Sequence, residues 1–373
     1  MELSNIKREV KRLSNILGKA EDCLDLGEIT ARIQELENII SRPNFWETSV
    51  SAYETVRDIE SLNAKKIQYQ RSHSLLGDIK AALELLEYSA DEQLLHEAQT
   101  NLIQLQQELK TLEIQQLLVE YYDQKSAYLT ITAGVGGIDA EDWASILLRM
   151  YYRWANSHNY KVYLVAESCK DVAGIKSATL EITGLYAYGC LKSEQGTHVK
   201  IVRIYPQNGN GKRLTCKAIV EVSPILDKSF ELEIPEKDLD ITKCWHSGNV
   251  NRPQTWVQVF HIPTGITVLC DQERNQLQNQ EQALAILKSK LWAFMQAQGV
   301  QNISDLQSGR IKSLFKKPIR EYILHPYTRV KDLRTQVETT AATEVLNGDI
   351  DFLIKAYLQQ QYQTLARANM HTE

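Results

Sequence analysis

The chain has 373 residues, of which 43% are hydrophobic and 24% charged, and its formal net charge is −5. A chain of this length is expected to form about two to four domains, because a single hydrophobic core stops growing near ~250–300 residues. It contains no run of ~18 apolar residues, so no transmembrane helix is predicted. The first residues, MELSNIKREVKRLSN, have neither a signal-peptide core nor an Arg- and Ser-rich transit composition. We therefore expect either a cytosolic protein or one whose targeting segment is missing from this sequence.

The average charge conceals two regions of opposite sign. Residues 1–125 carry 14 basic and 22 acidic side chains, a net charge of −8. Residues 192–335 carry 21 basic and 14 acidic side chains, a net charge of +7. An acidic region followed by a basic one indicates separate partners for separate domains, although a charged surface that only faces solvent would give the same counts.

Neither the cysteines nor the histidines form a recognisable site. The six cysteines are scattered, without a Cys-x-x-Cys pair or the Cys/His spacing of a zinc site. We expect reduced thiols, no metal and no cofactor. The eight histidines show no local Ser/His/Asp or Cys/His signature of a hydrolase. His261 precedes a Pro-Thr-Gly turn, and we expect it to make a structural hydrogen bond rather than to bind a ligand.

Residues 1–125 have the periodicity of helices. Apolar residues at alternating steps of three and four form two seams: Leu76, Ile79, Leu83 and Leu86, then Leu95, Ala98, Leu102, Leu105, Leu109 and Leu112. The sequence Ser-Ala-Asp at 89–91 separates the seams. This pattern predicts two long antiparallel helices with shorter helices alongside, and such a bundle more often serves docking than chemistry.

From about Tyr128 the pattern changes to the alternation of strands. The Gly-rich corner GVGG lacks the Lys-Ser/Thr of a phosphate-binding loop and is expected to be a turn, with Asp139 as the N-cap of the helix that follows. Further strands precede a long amphipathic helix from roughly Asn275 to Gln298. The predicted fold class is α+β with an all-helical N-terminal bundle.

Four segments carry a resemblance to a known family. LTITAGVGGIDAEDWASILLRMYYRWA, VAGIKSATLEITGLYAYGCLKSEQGTH, HIPTGI and RVKDLRTQVET…VLNGDIDFLIKAYL closely resemble class-I peptide chain release factors of bacterial type, in particular the group that reads UGA and UAA. Such factors enter the ribosome at a stop codon and hydrolyse the peptidyl-tRNA ester. The resemblance implies four parts: a helical docking domain at 1–125, a codon-reading α+β domain at 126–229, a protruding hairpin and helix domain with a degenerate catalytic loop at 230–300, and a C-terminal segment at 301–373 that packs back on the codon-reading domain.

The family's catalytic loop differs here. The family sequence runs approximately Ser-Gly-Ala-Gly-Gly-Gln-His-Val-Asn-Arg, whereas this chain has Ser247, Gly248 and Asn249 followed directly by Val-Asn-Arg. Two glycines permit a close approach to the tRNA end, and the glutamine that follows supplies a backbone amide beside the ester. From the missing Ala-Gly-Gly-Gln we predict that peptidyl-tRNA hydrolysis is lost and that Gly248 and Asn249 form a tight hairpin turn.

The codon-reading loop differs as well. The Ser-Pro-Phe of the UGA/UAA group aligns with Tyr205, Pro206 and Gln207, and a family histidine falls on Leu214, while Thr215 is kept. Stop-codon discrimination is therefore not expected to survive.

Cations and aromatic residues surround the former codon-reading loop, as in proteins that neutralise phosphates and stack on unpaired bases. With the resemblance, we predict RNA contact at Lys192, His198, Lys200, Arg203, Tyr205, Lys212, Arg213, Thr215, Lys217, Lys316, Lys317, Arg320, Arg329, Lys331 and Arg334.

Three functions compete. The favoured one is a non-catalytic RNA-binding protein that stabilises an mRNA near its 3′ end, in the manner of plant plastid release-factor paralogues without both motifs. That resemblance implies the chloroplast stroma. The second is a ribosome-associated factor that occupies the A site without peptide release. The third is an active release enzyme with an unusual loop. RNA is the expected partner, with the ribosome or a protein docked on the helical domain as further candidates; no DNA or membrane partner is expected.

Overall fold

The computed structural model contains two compact units, Met1–Gln116 and Leu117–Glu373. It describes residues 3–23, 26–42, 45, 49–88, 91–118, 120–169, 174–204, 212–227, 232–243, 255–306, 309, 315, 317–325 and 327–370. The first unit is helical and the second combines sheets with helices. The predicted α+β class is therefore confirmed. No helix within these ranges is long and apolar enough to cross a membrane. The finer division at 125, 229 and 300 stays a prediction.

The helical unit consists of α1 (Leu3–Cys23), α2 (Leu26–Ile40), α3 (Ser49–Leu86) and α4 (Glu92–Gln115). The two seams in the sequence lie on α3 and α4, as predicted. Their buried residues join those of α1 in one core: Ile6, Val10, Leu13, Leu17, Tyr69, Leu76, Ile79, Leu83, Leu102, Leu105, Leu109 and Leu112. In the described residues of this unit the regular elements are helices, so their apolar stripes are buried by helix-on-helix packing.

The predicted break between the long helices is also present. Asp91 is the N-cap of α4, and its carboxylate accepts hydrogen bonds from the backbone amides of Gln93 at 2.9 Å and Leu94 at 3.3 Å. These bonds satisfy amides that have no partner inside the helix. Further along, the Ser72 hydroxyl of α3 donates to the Glu108 carboxylate of α4 at 3.0 Å.

The sheet unit contains eleven strands and five helices in its described part. In chain order they are β1 (Ala127–Ala133), α5 (Ile138–Ser157), β2 (Lys161–Cys169), β3 (Ile175–Thr183), α6 (Ala187–Leu191), β4 (Gly196–Ile204), β5 (Lys212–Pro224), β6 (Leu239–Lys243), β7 (Val257–His261), β8 (Ile266–Cys270), α7 (Gln276–Gln298), β9 (Pro318–His325), β10 (Arg329–Asp332), β11 (Glu338–Thr339), α8 (Ala342–Leu346) and α9 (Asp351–Met370).

Eight of these strands form one sheet in the order β11-β10-β9-β4-β5-β1-β3-β2. Neighbouring strands are antiparallel except β4 and β9, which run parallel. Helix α5 packs on β1, β3 and β5 through fully buried side chains that include Trp143, Leu147 and Trp154. The helix begins at Ile138 with Gly137 as its N-cap at φ 61°, so the predicted N-cap, Asp139, lies in the first turn instead. Few residues other than glycine adopt this positive φ, which is why the cap falls on Gly137.

The second sheet has the order β6-β7-β8 and is covered by α7. Its core includes Val257, Val259, Ile286 and Leu287, all fully buried. Helix α7 spans the residues predicted from the amphipathic pattern. In the turn after β7, His261 Nδ1 lies 2.7 Å from the Thr264 hydroxyl, which is the structural hydrogen bond that the sequence predicted.

Candidate functional site

The candidate site is built on the hairpin of β4 and β5. The strands stay in register up to the pairs formed by Arg203 with Arg213 and by Ile204 with Lys212. The intervening loop, which holds the predicted Tyr205, Pro206 and Gln207, lies outside the described residues. The same holds for Lys316 and for the other motif positions, Ser247, Gly248 and Asn249. The structure therefore describes the scaffold beneath both loops.

Strand register divides the predicted cations between the two faces of the sheet. One set of aligned residues across β5, β4, β9 and β10 is Ala218, His198, Arg320 and Asp332. The adjacent set is Lys217, Val199, Glu321 and Lys331. Because successive side chains of a strand point to opposite faces, these two sets lie on opposite sides of the sheet. The first set lies on the face that bears α5. Tyr322 is two residues after Arg320 and so shares its face, and the Tyr322 ring lies 4.8 Å from the ring of Trp143 on α5.

A fully buried ion pair lies on the α5 side. The guanidinium of Arg320 donates to both carboxylate oxygens of Glu194, at 2.5 Å and 2.6 Å, and all of these side-chain atoms are inaccessible to solvent. Arg320 also lies 3.4 Å from the Asp332 carboxylate. Asp332 in turn accepts from the Arg334 side chain at 2.8 Å and from the Arg334 backbone amide at 2.9 Å. The fork geometry suits a planar guanidinium and not a lysine.

His198 connects this ion pair to the aromatic core. Its Nε2 lies 2.9 Å from the Glu194 carbonyl, and its Nδ1 lies 3.2 Å from the hydroxyl of Tyr322. The Tyr151 hydroxyl donates to the Glu194 carboxylate at 3.0 Å. We refer to Tyr151, Glu194, His198, Arg320, Tyr322 and Asp332 as the buried charge network.

Burial and charge move the pKa values in the network. Burial alone would raise the pKa of Glu194, but the Arg320 guanidinium outweighs it and holds the pKa below its usual value. Burial would likewise raise the pKa of Asp332, and the hydrogen bonds and charge of Arg334 lower it. Burial together with the Arg320 charge lowers the pKa of His198 to about 4. The network thus holds ionised carboxylates and a neutral imidazole at neutral pH.

These contacts correct the prediction for two residues. Arg320 and His198 are fully buried and bound within the network, so they do not present a surface to RNA. Two others are held by protein partners. Lys192 pairs with Asp123 at 2.5 Å and Glu120 at 2.9 Å, and Arg334 lies 4.0 Å over the Tyr357 ring in addition to its pair with Asp332. Glu120 and Asp123, the partners of Lys192, lie in a 3-10 turn about seventy residues earlier in the chain, so no local pattern indicates this pair. Asp332 is only two residues from Arg334, but charge counting does not show that the two side chains bind each other.

The remaining predicted cations lie at or near the surface. Lys317 is exposed, and Lys217, Arg329 and Lys331 are half-buried on the sheet face opposite α5. We call this group, with Thr215, the outer face; in its middle lie the buried Val199, Ile201 and Ile323. Arg329 and Lys331 lie 3.6 Å and 3.9 Å from the Glu338 carboxylate, distances at which an exposed ion pair contributes little. Their charge therefore stays available to an anionic partner.

Lys200 belongs to the α5 side. Its ammonium lies 3.3 Å from the Asp142 carboxylate and 5.9 Å from the centre of the Trp143 ring. Of Arg203, Lys212 and Arg213, the structure describes only the backbone, at the far end of the hairpin. Within the described residues, no group of three or more His, Cys, Asp or Glu could hold a metal ion.

Comparison with known families accounts for this scaffold. A PCRF domain matches residues 29–220 and an RF-1 domain matches residues 228–334. The chain belongs to the class-I peptide chain release factor family. The family resemblance found in the sequence is therefore confirmed, whereas the plastid paralogue without both motifs stays a prediction.

Relatives match nearly the whole chain. The "Peptide chain release factor PrfB1, chloroplastic" of Arabidopsis thaliana is 40% identical over 98% of this chain and 82% of its own length. "Peptide chain release factor 2" of Clostridium perfringens is 38% identical over 96% of this chain and 99% of its own. Among solved structures, "RF2 of Thermus thermophilus" matches with a TM-score of 0.57 and 30% identity, covering 92% of this chain and 99% of that one.

Two predictions are overturned by these comparisons. The prediction of a non-catalytic protein that stabilises an mRNA is wrong. Relatives that match nearly the whole chain are named as release factors and point to translation termination. The prediction that hydrolytic activity is lost is likewise contradicted, since these relatives are named peptide chain release factor 2 and an RF-1 domain covers the region of the loop. Ser247, Gly248 and Asn249 of this loop lie outside the described residues.

Proposed function

We propose that this protein acts in translation termination, as a peptide chain release factor that binds the ribosome at a stop codon. The observation that carries this proposal is a relative named peptide chain release factor 2 that is 38% identical over 96% of this chain and 99% of its own length. The two unit architecture, helical and then α+β, supports the same function because the match extends through both units. The substrate is the ester of peptidyl-tRNA.

The partners follow from the same proposal. The ribosome and the mRNA in its A site are the RNA partners, and the outer face with the end of the β4–β5 hairpin is the surface that meets RNA. A chloroplastic relative at 40% identity supports the chloroplast as the location. Within the chloroplast, the proposed compartment is the stroma.

Peptide release from defined ribosomes tests the function directly. Ribosomes that carry a labelled peptidyl-tRNA and display UGA, UAA, UAG or a sense codon are mixed with the purified protein, and both binding and released peptide are measured. We expect release above the no-factor control at UGA and UAA. This expectation is opposite to the prediction, made from Tyr205, Pro206 and Gln207, that stop-codon discrimination is lost, so the codon series tests that prediction as well. Release has to be measured separately from binding, because Gly248 is followed directly by Asn249 and the family's Ala-Gly-Gly-Gln is missing between them.

The outcomes separate the hypotheses. Neither binding nor release at any stop codon would overturn the proposed function. Ribosome binding at a stop codon without release would instead support the factor that occupies the A site, which the sequence analysis left open.

The salt dependence of ribosome binding tests the outer face. Each phosphate contact contributes ~0.7–0.9 to the slope of log affinity against log salt. A triple variant, Lys217→Ala, Arg329→Ala and Lys331→Ala, is expected to reduce that slope by roughly two units. A matched control is Lys65→Ala, Lys66→Ala and Lys80→Ala in the helical unit, which removes the same charge. Equal slopes for the two variants would show that the outer face does not contact RNA.

A further inference from the structure

The buried charge network lies at the point where β4 begins. Glu194 precedes β4 by two residues, and His198 is its third residue. Their partners Arg320 and Tyr322 are on β9, which is the parallel neighbour of β4. The Thr197 hydroxyl adds a hydrogen bond of 2.6 Å to the Phe315 carbonyl. The start of β4 is therefore fixed to the C-terminal part of the chain by side chains as well as by the backbone.

Stability alone does not explain an ion pair at this position. Removing two charges from water is costly. Replacing a buried ion pair by apolar residues of similar volume often leaves the stability of the protein unchanged or raises it. The surroundings are already aromatic, with Tyr151, Tyr322 and Trp143 fully buried around the pair. What a forked pair of guanidinium and carboxylate contributes beyond stability is a fixed orientation of its two side chains, because both N–H···O bonds form in only one relative orientation.

The direction that the pair fixes is that of the β4–β5 hairpin. Strand β4 is nine residues long and therefore spans roughly 30 Å. At its far end it leads directly into the segment 205–211, which the family resemblance aligns with codon recognition. Strand β4 is paired with β9 as far as Val202, and beyond that residue its described part is paired with β5 alone. The direction set at the start of β4 is therefore passed to the end of the hairpin through these two strands.

We propose that the Glu194–Arg320 ion pair is a positioning device that sets the direction of the β4–β5 hairpin and thereby its discrimination between codons. The inference rests on the proposed function, and it assigns to these two residues a role through the hairpin and not through contact with RNA. Asp332 holds Arg320 from the other side, so the guanidinium keeps its orientation.

The test compares two ion pairs of the same unit. The variant Glu194→Gln with Arg320→Met removes the charges of the positioning pair and leaves none unpaired. The control, Glu221→Gln with Lys290→Met, removes a pair of 2.7 Å between Glu221 on β5 and the buried Lys290 on α7. Glu221 lies beside the start of β4, next to the partner of Gly196, but neither residue of this pair belongs to β4 or β9. Amide hydrogen exchange is measured across residues 199–204, 212–217 and α5, and ribosome affinity is measured at UGA and at the sense codon UGG.

In the Glu194/Arg320 variant we expect hairpin amides to exchange about tenfold faster, while exchange in α5 stays unchanged. We also expect the ratio of ribosome affinity at UGA to that at UGG to fall about tenfold, which corresponds to about 1.4 kcal/mol. In peptide release, the concentration for half-maximal rate rises while the maximal rate stays the same. The control variant leaves hairpin exchange and the codon ratio as in the wild type. Unchanged hairpin exchange and an unchanged codon ratio in the Glu194/Arg320 variant would overturn the inference.

A conservative variant keeps the test decisive if the double variant does not fold. Arg320→Lys retains one charge beside Glu194 but loses the fork, so it is expected to shift both measurements in the same direction by a smaller amount. Wild-type measurements separate the two proposals. If the wild type shows no preference for a stop codon, the proposed function fails, while the exchange comparison still decides whether the pair positions the hairpin.

Discussion

The hydrophobic cores of the two units differ in how many polar and charged side chains they bury. In the described part of the helical unit, Ser72 is the one buried polar side chain among aliphatic residues and Tyr69. The described part of the sheet unit buries charged or titratable side chains in several places, among them Glu194, Arg320 and Asp332. Helices α3 and α4 can pack with apolar seams alone, whereas the sheet unit fixes its strands with polar contacts that have one geometry.

The difference shows how each unit is specified. An apolar seam tolerates small adjustments, since any well-filled arrangement buries about the same area. An ion pair inside a core is strongly unfavourable unless both partners meet, so it selects one alignment of β4 against β9. Under the proposed function, the β4–β5 hairpin meets the codon and therefore needs a single orientation.

The largest expected effect is the loss of one partner of the buried ion pair. Arg320→Met leaves the Glu194 carboxylate buried without its cation, and such a loss costs about 3–5 kcal/mol. Unfolding in urea, followed through the exchange of β4 amides, measures the change in the sheet unit. The double variant Glu194→Gln with Arg320→Met should cost much less, because no charge is left unpaired. Equal losses in the single and double variants would contradict the assignment of the pair as the cause.

In the helical unit the corresponding test is a cavity. Leu105 is fully buried in the core between the helices, and Leu105→Ala is expected to lower the free energy of unfolding by about 2–5 kcal/mol. Ile103 on the same helix is 56% exposed, so Ile103→Ala serves as the control and should change stability by less than about 0.5 kcal/mol. Exchange of α4 amides confines the measurement to this unit. A similar loss in both variants would mean that α4 does not pack through the face described.

Much of the fold is predictable from the sequence because it depends on local periodicity. Steps of three and four along α4 identify the buried leucines directly, and alternation identifies most of the strands. What the pattern does not contain is the pairing of distant strands. The parallel contact of β4 with β9 joins residues more than a hundred positions apart, and no local pattern indicates it.

The site was harder to predict for the same reason. Arg320 and Glu321 are neighbours in the sequence, yet one is fully buried and the other half-buried on the opposite face of β9. Counting positive charges treats all cations of the segment as one surface. The alternation of a strand divides them, and only the register with β4 and β10 shows which set faces α5. The predicted function was wrong for a different reason. Two short loops, at 205–207 and 247–249, differ from the family, whereas relatives named as release factors match nearly the whole chain.

The next effect in size is a dependence of stability on pH. His198 has a pKa of about 4 in the folded protein against an ordinary value of 6.5. Below pH 6.5 the unfolded chain therefore binds a proton that the folded chain does not, and stability falls as the pH is lowered toward 4. Between pH 6.5 and pH 5 the loss should reach about 1.6 kcal/mol.

A neutral substitution isolates this contribution. His198→Gln has no proton to bind in this window, so its stability should change less than that of the wild type between pH 6.5 and pH 5. The carboxylates of Glu194 and Asp332, whose pKa values are lowered, lose their stabilising contribution only at more acidic pH, as the pH falls through those lowered values. The free energy of unfolding is measured at each pH by denaturant titration, with the hydrogen exchange of β4 amides as the signal. Parallel pH profiles for the two proteins would show that His198 is not the group responsible.

The smallest expected effect concerns a feature that the two units share, the N-caps of their long helices. Asp91 accepts from two amides at the start of α4, and Asn275 accepts from the Leu277 amide at 2.9 Å at the start of α7. Because each cap satisfies amides that the helix leaves free, Asp91→Ala and Asn275→Ala should each cost about 1 kcal/mol, whatever the core beneath. Urea unfolding with exchange of α4 and α7 amides assigns each loss to its own unit. Asp91→Asn keeps a hydrogen-bond acceptor without the charge and should retain most of the stability. If it loses as much stability as Asp91→Ala, the carboxylate acts through its charge on the helix dipole and not through the cap.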